Sequence, residues 1–199
     1  MTSTATDVVV PLPDKKYNII YADPPWSFSS KEIQRYGGGG GVRFGSPRKG
    51  YPVQHSNWIR QLPVSSIAAR DCALFLWSTD AHIKEAIEVM EAWGFKYKTV
   101  AFVWEKKTAR GLIATNLGAW TLKSYELCLL GTRGRMLQHK KVNNICQRVE
   151  EKRTGHSRKP ERVRRNIEKL FGELPRIELF ARQETEGWDV WGDAVEVSR

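Results

Sequence analysis

The chain has 199 residues, 41% of them hydrophobic and 27% charged, which is enough for one domain over residues 1–199 with a packed core and excludes a disordered or fibrous chain. Lys and Arg number 32 against 22 Asp and Glu, and the net charge of +10 points to a polyanionic partner, nucleic acid first. No stretch approaches the ~18 apolar residues of a membrane span, and the start has no basic n-region, so a cytoplasmic protein with no membrane partner is expected.

In chain order, Tyr17–Asp23 is a short apolar run that ends in a carboxylate and two prolines, which predicts a buried strand and a forced turn. Residues 29–50 contain five consecutive glycines, Gly37–Gly41, and are expected to form a mobile loop. Ser56–Leu62 reads as a short helix and Cys72–Trp77 as a second buried strand. A helix is predicted from about Asp80 to Trp93, with Ile83, Ala86, Ile87, Met90 and Trp93 on one face and Gly94 as its stop. Lys96–Glu105 and Tyr125–Leu130 read as strands, the second closed by Gly131. Pro160 opens a helix that carries Val163, Ile167, Leu170 and Phe171 on one face, and Arg176–Arg182 is a last strand. Strands alternating with amphipathic helices predict an α/β fold with a mostly parallel sheet and ligands at the C-terminal ends of its strands.

The positive charge is concentrated. Residues 131–170 hold thirteen Lys/Arg against four Asp/Glu. Residues 131–158 are therefore expected to form a basic target-binding loop, with Arg133, Arg135, Lys140 and Lys141 on the phosphate backbone and Arg43 and Arg48 of the glycine-rich loop assisting. Cys72, Cys128 and Cys146 form no ligand pair, and the four histidines show no ligand spacing, so no metal site is expected.

Asp23-Pro24-Pro25-Trp26 carries the most chemistry. Two prolines fix φ and remove two N–H donors, which aims the neighbouring carbonyls. Asp23 offers a carboxylate beside them and Trp26 a flat π surface. The set suits a planar ring with an exocyclic amine: the amine donates to Asp23 and the Pro24 carbonyl while the ring stacks on Trp26.

Several further segments have the same bearing: Leu74-Phe-Leu-Trp-Ser-Thr79, Glu88–Phe95, Glu126-Leu-Cys-Leu-Leu-Gly131 with Arg133-Gly134, His156-Ser-Arg-Lys-Pro160, Ile177-Glu-Leu-Phe-Ala-Arg182, and Gly187-Trp188 with Trp191-Gly192. In order and spacing, from about residue 17 to 195, the chain resembles the MT-A70 family of S-adenosylmethionine-dependent adenine N6-methyltransferases, particularly its short bacterial and phage members. The resemblance implies a Rossmann-like methyltransferase fold with helices on both faces of the sheet and a permuted motif order, the catalytic tetrapeptide early and the cofactor strand late. It implies S-adenosyl-L-methionine as cofactor, with Asp23, Glu178 and Arg182 at its site. Asp193-Ala194 stands where the family's eukaryotic RNA enzymes carry Asn-Gln, and a carboxylate at Asp193 would bind ribose hydroxyls. Lys123 stands near a family lysine and would reach the cofactor carboxylate, and in the divergent segment before Tyr17, Asp7 is expected to contact the cofactor's adenine. The implied reaction is methyl transfer to adenine N6 in DNA, by a monomer or homodimer. An RNA adenine methyltransferase and an inactive nucleic-acid-binding homologue remain the alternatives.

Overall fold

The computed structural model describes residues 11–26, 57–118, 120–153 and 158–192. Asp7, Asp193, Arg43, Arg48 and the expected loop over residues 29–50 lie outside them.

The first strand, β1 (Tyr17–Ala22), sits inside a seven-stranded sheet. Its run is almost wholly apolar because both faces are covered. Ile20 and Ala22 face one core, with Ile59, Val89, Met90 and Trp93, while Ile19 and Tyr21 face the other, with Val163, Ile167 and Phe171. The first of these cores is covered by helices α1 (Asn57–Gln61) and α2 (Ile83–Ala92), the second by α3 (Glu161–Phe171). Helices thus cover both faces, as the α/β pattern requires. Trp93 Nε1 donates to the Ile59 carbonyl at 2.9 Å and ties α2 to α1.

The other strands are β2 (Ala68–Ser78), β3 (Lys96–Lys107), β4 (Tyr125–Arg133), β5 (Arg148–Lys152), β6 (Arg176–Leu179) and β7 (Asp189–Trp191). The sheet order is β5-β3-β4-β2-β1-β6-β7. Six strands run the same way, and β4 alone is antiparallel to its neighbours β2 and β3. The fold is therefore mixed α/β with a mostly parallel sheet, consistent with a Rossmann-like methyltransferase. The C-terminal edge gathers the ends of β1, β2, β3 and β6 with the beginning of β4.

Two features of β4 differ from the sequence reading. The strand runs on through Gly131 to Arg133, where a stop at Leu130 and the start of the basic loop at Gly131 were expected. Gly131 is not a terminator. A Cβ there would collide with the Met90 side chain, so its glycine lets α2 approach the sheet. The chain turns only at Gly134, with φ +63, against the Arg70 carbonyl.

The basic segment 131–158 is also more structured than a loop. It contains the end of β4, a 3₁₀ turn over Met136–His139 and the whole of β5. Strand β5 has one buried apolar residue, Val149, among charged neighbours, a pattern that suits an edge strand and hides it from a hydrophobicity scan.

Candidate active site

Asp23 leaves the end of β1 at the C-terminal edge, next to the ends of β2 and β6. Its Oδ1 lies 2.9 Å from Lys159 Nζ, and the same ammonium is 3.0 Å from Glu126 Oε2. Glu126 Oε1 in turn accepts from Lys106 Nζ at 2.5 Å. The four groups come from β1, β4, β3 and the residue before Pro160, so they form an alternating chain of charge that only the folded sheet assembles. Their side chains are largely buried, at 10% exposure for Lys159 and 18% for Asp23. Lys159 also stands over the Trp77 ring, 5.4 Å from its centroid, and Trp77 Nε1 donates to the Tyr21 hydroxyl at 2.6 Å.

Burial and charge oppose one another here. Burial pushes the Asp23 carboxyl above its usual range, against the pull of Lys159. Burial also acts against ionisation of Glu126, but Lys159 and Lys106 outweigh it and hold that carboxyl low. Burial disfavours the charge on Lys159, yet Asp23 and Glu126 more than restore it and raise its pKa. The charged forms of Lys159 and Glu126 are thus favoured by their partners, while burial leaves the charged form of Asp23 disfavoured. A carboxyl so placed is suited to receive a proton.

The tetrapeptide after β1 is braced from two sides. Trp26 Nε1 donates to the Trp77 carbonyl at 2.8 Å, and its ring stacks on His82 at 6.0 Å between centroids and 18° between planes. His82 is buried and hydrogen-bonded, Nδ1 to Thr79 Oγ1 at 2.7 Å, so its role is structural. The Pro24 carbonyl, expected to be aimed at a ligand amine, already has a partner within the turn. It accepts the Trp26 backbone N–H at 2.9 Å and keeps one lone pair for a ligand.

Directly after β6, Phe180 has φ +61, the one positive value at a non-glycine residue among those described. Its ring is clamped by Trp191 at 5.5 Å and Trp58 at 6.2 Å. A bulky residue held in this region marks a backbone shaped for something other than local comfort. It lies between Glu178 and Arg182, and Arg182 adds to the field that favours ionised Asp23.

The expected site residues divide accordingly. Asp23, Pro24, Pro25, Trp26, Glu178 and Arg182 all lie at the C-terminal edge. Glu178 is buried and bidentate with Arg164, at 2.7 and 3.0 Å, and Arg164 stands over the Tyr21 ring. Lys123 pairs with Asp80, after β2, and the ammonium beside Asp23 belongs to Lys159. Sequence reasoning quoted His156-Ser-Arg-Lys-Pro160 but assigned no role to Lys159. Its signal was a lysine directly before the proline that opens a helix.

Arg133, Arg135, Lys140 and Lys141 are not near this site. The expectation of a target-binding loop there meets the direction of β4, which runs antiparallel to β2 and carries these residues away from the catalytic edge. Leu127 pairs with Ser78 near that edge, but Arg133 pairs with Cys72, six residues and about 20 Å away along the strand. Asp71 Oδ1 accepts the Arg135 N–H at 2.8 Å, and Lys141 N–H donates to the Leu170 carbonyl at 2.7 Å near the end of α3. The four residues thus lie at the opposite edge of the sheet. Among the described residues no three His, Cys, Asp or Glu side chains are grouped to hold a metal ion, and no helix is long and apolar enough to cross a membrane.

The chain is similar to known methyltransferases over most of its length. It is 39% identical to the Type II methyltransferase M.MunI of a Mycoplasma species, over 94% of this chain and 81% of that protein. It is 30% identical to the human N(6)-adenine-specific methyltransferase METTL4, over 91% of this chain and 38% of that protein. With the catalytic subunit METTL3 of the human N(6)-adenosine-methyltransferase it shares 25% identity over 84% of this chain and 26% of that protein. The family model MT-A70 matches residues 17–194, a span that includes Asp23, Glu126, Lys159, Glu178 and Arg182, and the chain belongs to the MT-A70 family.

Proposed function

We propose that this MT-A70 protein, an adenine N6-methyltransferase, acts on DNA and takes its methyl group from S-adenosyl-L-methionine. The observation that carries the reading is Asp23: a buried carboxylate at the end of β1, its pKa raised by burial, held by Lys159 beside two prolines and a braced tryptophan.

The charged groups present fit that methyl donor. It carries a carboxylate, an ammonium, a sulfonium and a ribose. Lys159 would complement the carboxylate, Asp23 and Glu126 would complement the cationic groups, and Arg182, past the end of β6, lies where a ribose would sit, while Glu178 is occupied by Arg164. When bound, it supplies an activated methyl group on a good leaving group.

The chain's own residues then do the positioning. The adenine amine has two N–H bonds and a lone pair spread into its ring. Asp23 accepts one N–H and the remaining lone pair of the Pro24 carbonyl accepts the other, which leaves the amine lone pair directed at the methyl carbon. Positive charge grows on N6 as the new N–C bond forms, so fixed acceptors stabilise the transition state more than the ground state. Asp23 takes the proton that N6 loses and passes it to solvent. Trp26, with one face on His82, offers the other to the adenine ring.

The DNA reading rests on the resemblance to the short bacterial and phage members of the family, and the bacterial match supports it. M.MunI matches at higher identity and over most of its own length, whereas METTL3 matches at lower identity over about a quarter of its length. A DNA methyltransferase of this type would work in the cytoplasm of a bacterium or a phage-infected cell. The test is incubation with S-adenosylmethionine and matched DNA and RNA pools, followed by mass spectrometry of the nucleosides. N6-methyldeoxyadenosine is the expected product. N6-methyladenosine in the RNA pool alone would overturn the choice of DNA, and methylation of neither pool would overturn the activity.

A further inference from the structure

Seven large hydrophobic residues stand exposed among the described residues, and five of them, Leu112, Ile113, Leu117, Trp120 and Leu122, lie in the single connection between β3 and β4. Trp120 is 95% exposed and Leu117 88%. Water-facing apolar surface gathered in one segment is unfavourable unless something covers it.

The segment has a firm base. Asn116 and Lys123 exchange two backbone hydrogen bonds of 2.8 Å each, which closes a hairpin with Leu117, Trp120 and Leu122 beyond the bridge. Arg153 Nη1 donates to Asn116 Oδ1 at 3.3 Å, and Lys123 pairs with Asp80 at the end of β2. The hairpin also stands at the catalytic edge. Three residues beyond Lys123 is Glu126, which shares Lys159 with Asp23.

Charge decides what covers it. Lys106, Lys107 and Lys123 are paired with Glu126, Glu105 and Asp80, but residues 106–124 contain no acidic residue, and the exposed Arg110 and Arg153 carry positive charge to the rim beside the hairpin. A polyanion is attracted to such a segment, and of polyanions a nucleic-acid strand also offers flat apolar faces to an indole. We infer that the 116–123 hairpin is a base-stacking wedge: Trp120 stacks on a nucleobase beside the target adenine, and Leu117 packs against the same strand. The inference rests on the protein being a nucleic-acid adenine methyltransferase and names how it grips its substrate. Extruding a base unstacks its neighbours, and an indole next to the catalytic pocket replaces part of the stacking that is lost.

The experiment uses the full chain with a random-sequence duplex DNA library carrying 5-iodouracil, photocrosslinked and mapped by mass spectrometry, and with the same library in anisotropy titrations. The expected crosslink falls on the tryptic peptide Gly111–Lys123. Trp120→Ala is expected to weaken DNA binding about 5- to 150-fold while S-adenosylmethionine binding stays unchanged, and Trp120→Phe to recover most of the loss. Crosslinks confined to other peptides, with Trp120→Ala binding DNA within twofold of wild type, would overturn the inference. If that variant instead changed only the oligomeric state seen by light scattering, the hairpin would be a protein contact and the inference would equally fall. Failure of the DNA-methylation reading looks different: intact DNA binding and crosslinking by wild type without N6-methyladenine in the DNA.

Discussion

Lys159 reaches back from the residue before Pro160 to within 2.9 Å of Asp23 Oδ1, so the acid at the end of β1 depends on a base 136 positions later in the chain. Burial raises the Asp23 pKa and Lys159 is the largest influence lowering it. Removing the ammonium therefore leaves burial less opposed, and Asp23 should take up a proton at higher pH. Lys159→Met is expected to move the acid limb of the pH–rate profile upward and to lower the rate below that limb most. A purely structural lysine would lower the rate equally at every pH, and Lys159→Arg should restore the limb in part. An unchanged profile in a folded Lys159→Met variant would rule out this coupling.

Asp23→Asn tests the acceptor itself. The amide keeps the shape and one acceptor oxygen but cannot take the N6 proton. Loss of a positioned acid–base group costs about 10²–10⁴ in rate. Methyl transfer should fall by that much at saturating cofactor, while the thermal midpoint stays near that of wild type because Lys159 retains Glu126 as a partner. Turnover within tenfold of wild type would exclude Asp23 as the proton acceptor.

Glu178 illustrates the difference between a residue's position and its partner. Both its oxygens are engaged by Arg164 inside the second core, where neither side chain is more than 9% exposed. Breaking a buried pair from one side strands the other charge, at a cost of about 3–5 kcal/mol. Arg164→Met should therefore destabilise the fold by about that amount in urea titrations. Arg164→Met combined with Glu178→Gln should cost less than Arg164→Met alone. Equal loss in both would show that packing of Arg164 over Tyr21, rather than charge, dominates.

The strands and helices were legible where a period was strong. β1 and β2 are buried on both faces and read as unbroken apolar runs, and α3 shows its apolar face together with Pro160 and Gly172 at its ends. β5 and β7 were missed, the first because Val149 is its single core residue, the second because three residues give no period. The direction of β4 was illegible for another reason. A short apolar run looks the same in either orientation, and pairing partners decide it. That single orientation places Glu126 beside Lys159 and carries Arg133 to the far edge. The tetrapeptide at Asp23 was legible because its chemistry is local, whereas Lys159 joins it only through the tertiary fold.

Gly131 makes a separate, local test of packing. It lies within β4 opposite Leu74, and a Cβ there would overlap the Met90 side chain of α2. Overpacking of this kind costs about 1–3 kcal/mol. Gly131→Ala should destabilise the protein within that range, and Met90→Ala in the same chain should recover part of it by vacating the space. Additive losses in the double variant would show that strand conformation, not the helix contact, requires the glycine.

The basic residues provide the last test, because position and charge make opposite predictions. By composition alone, the cluster around Arg133, Arg135, Lys140 and Lys141 is the natural phosphate-binding surface. By position it is not, since Arg133 is six residues along β4 from the edge that holds Asp23, and Asp71 and Leu170 tie its neighbours to the far side. Arg110 and Arg153, by contrast, follow the ends of β3 and β5 at the catalytic edge and are exposed. Each phosphate contact contributes about 0.9 to the slope of log affinity against log salt on duplex DNA. Arg110→Ala with Arg153→Ala should therefore reduce that slope by about two. The fourfold alanine variant of the far cluster should leave it within about one of wild type. The measurement is DNA binding by fluorescence anisotropy across a potassium chloride series. A fall of three or four in the far-cluster variant would mean that the DNA wraps both edges of the sheet, and would return the phosphate footprint to the segment where the sequence concentrates its charge.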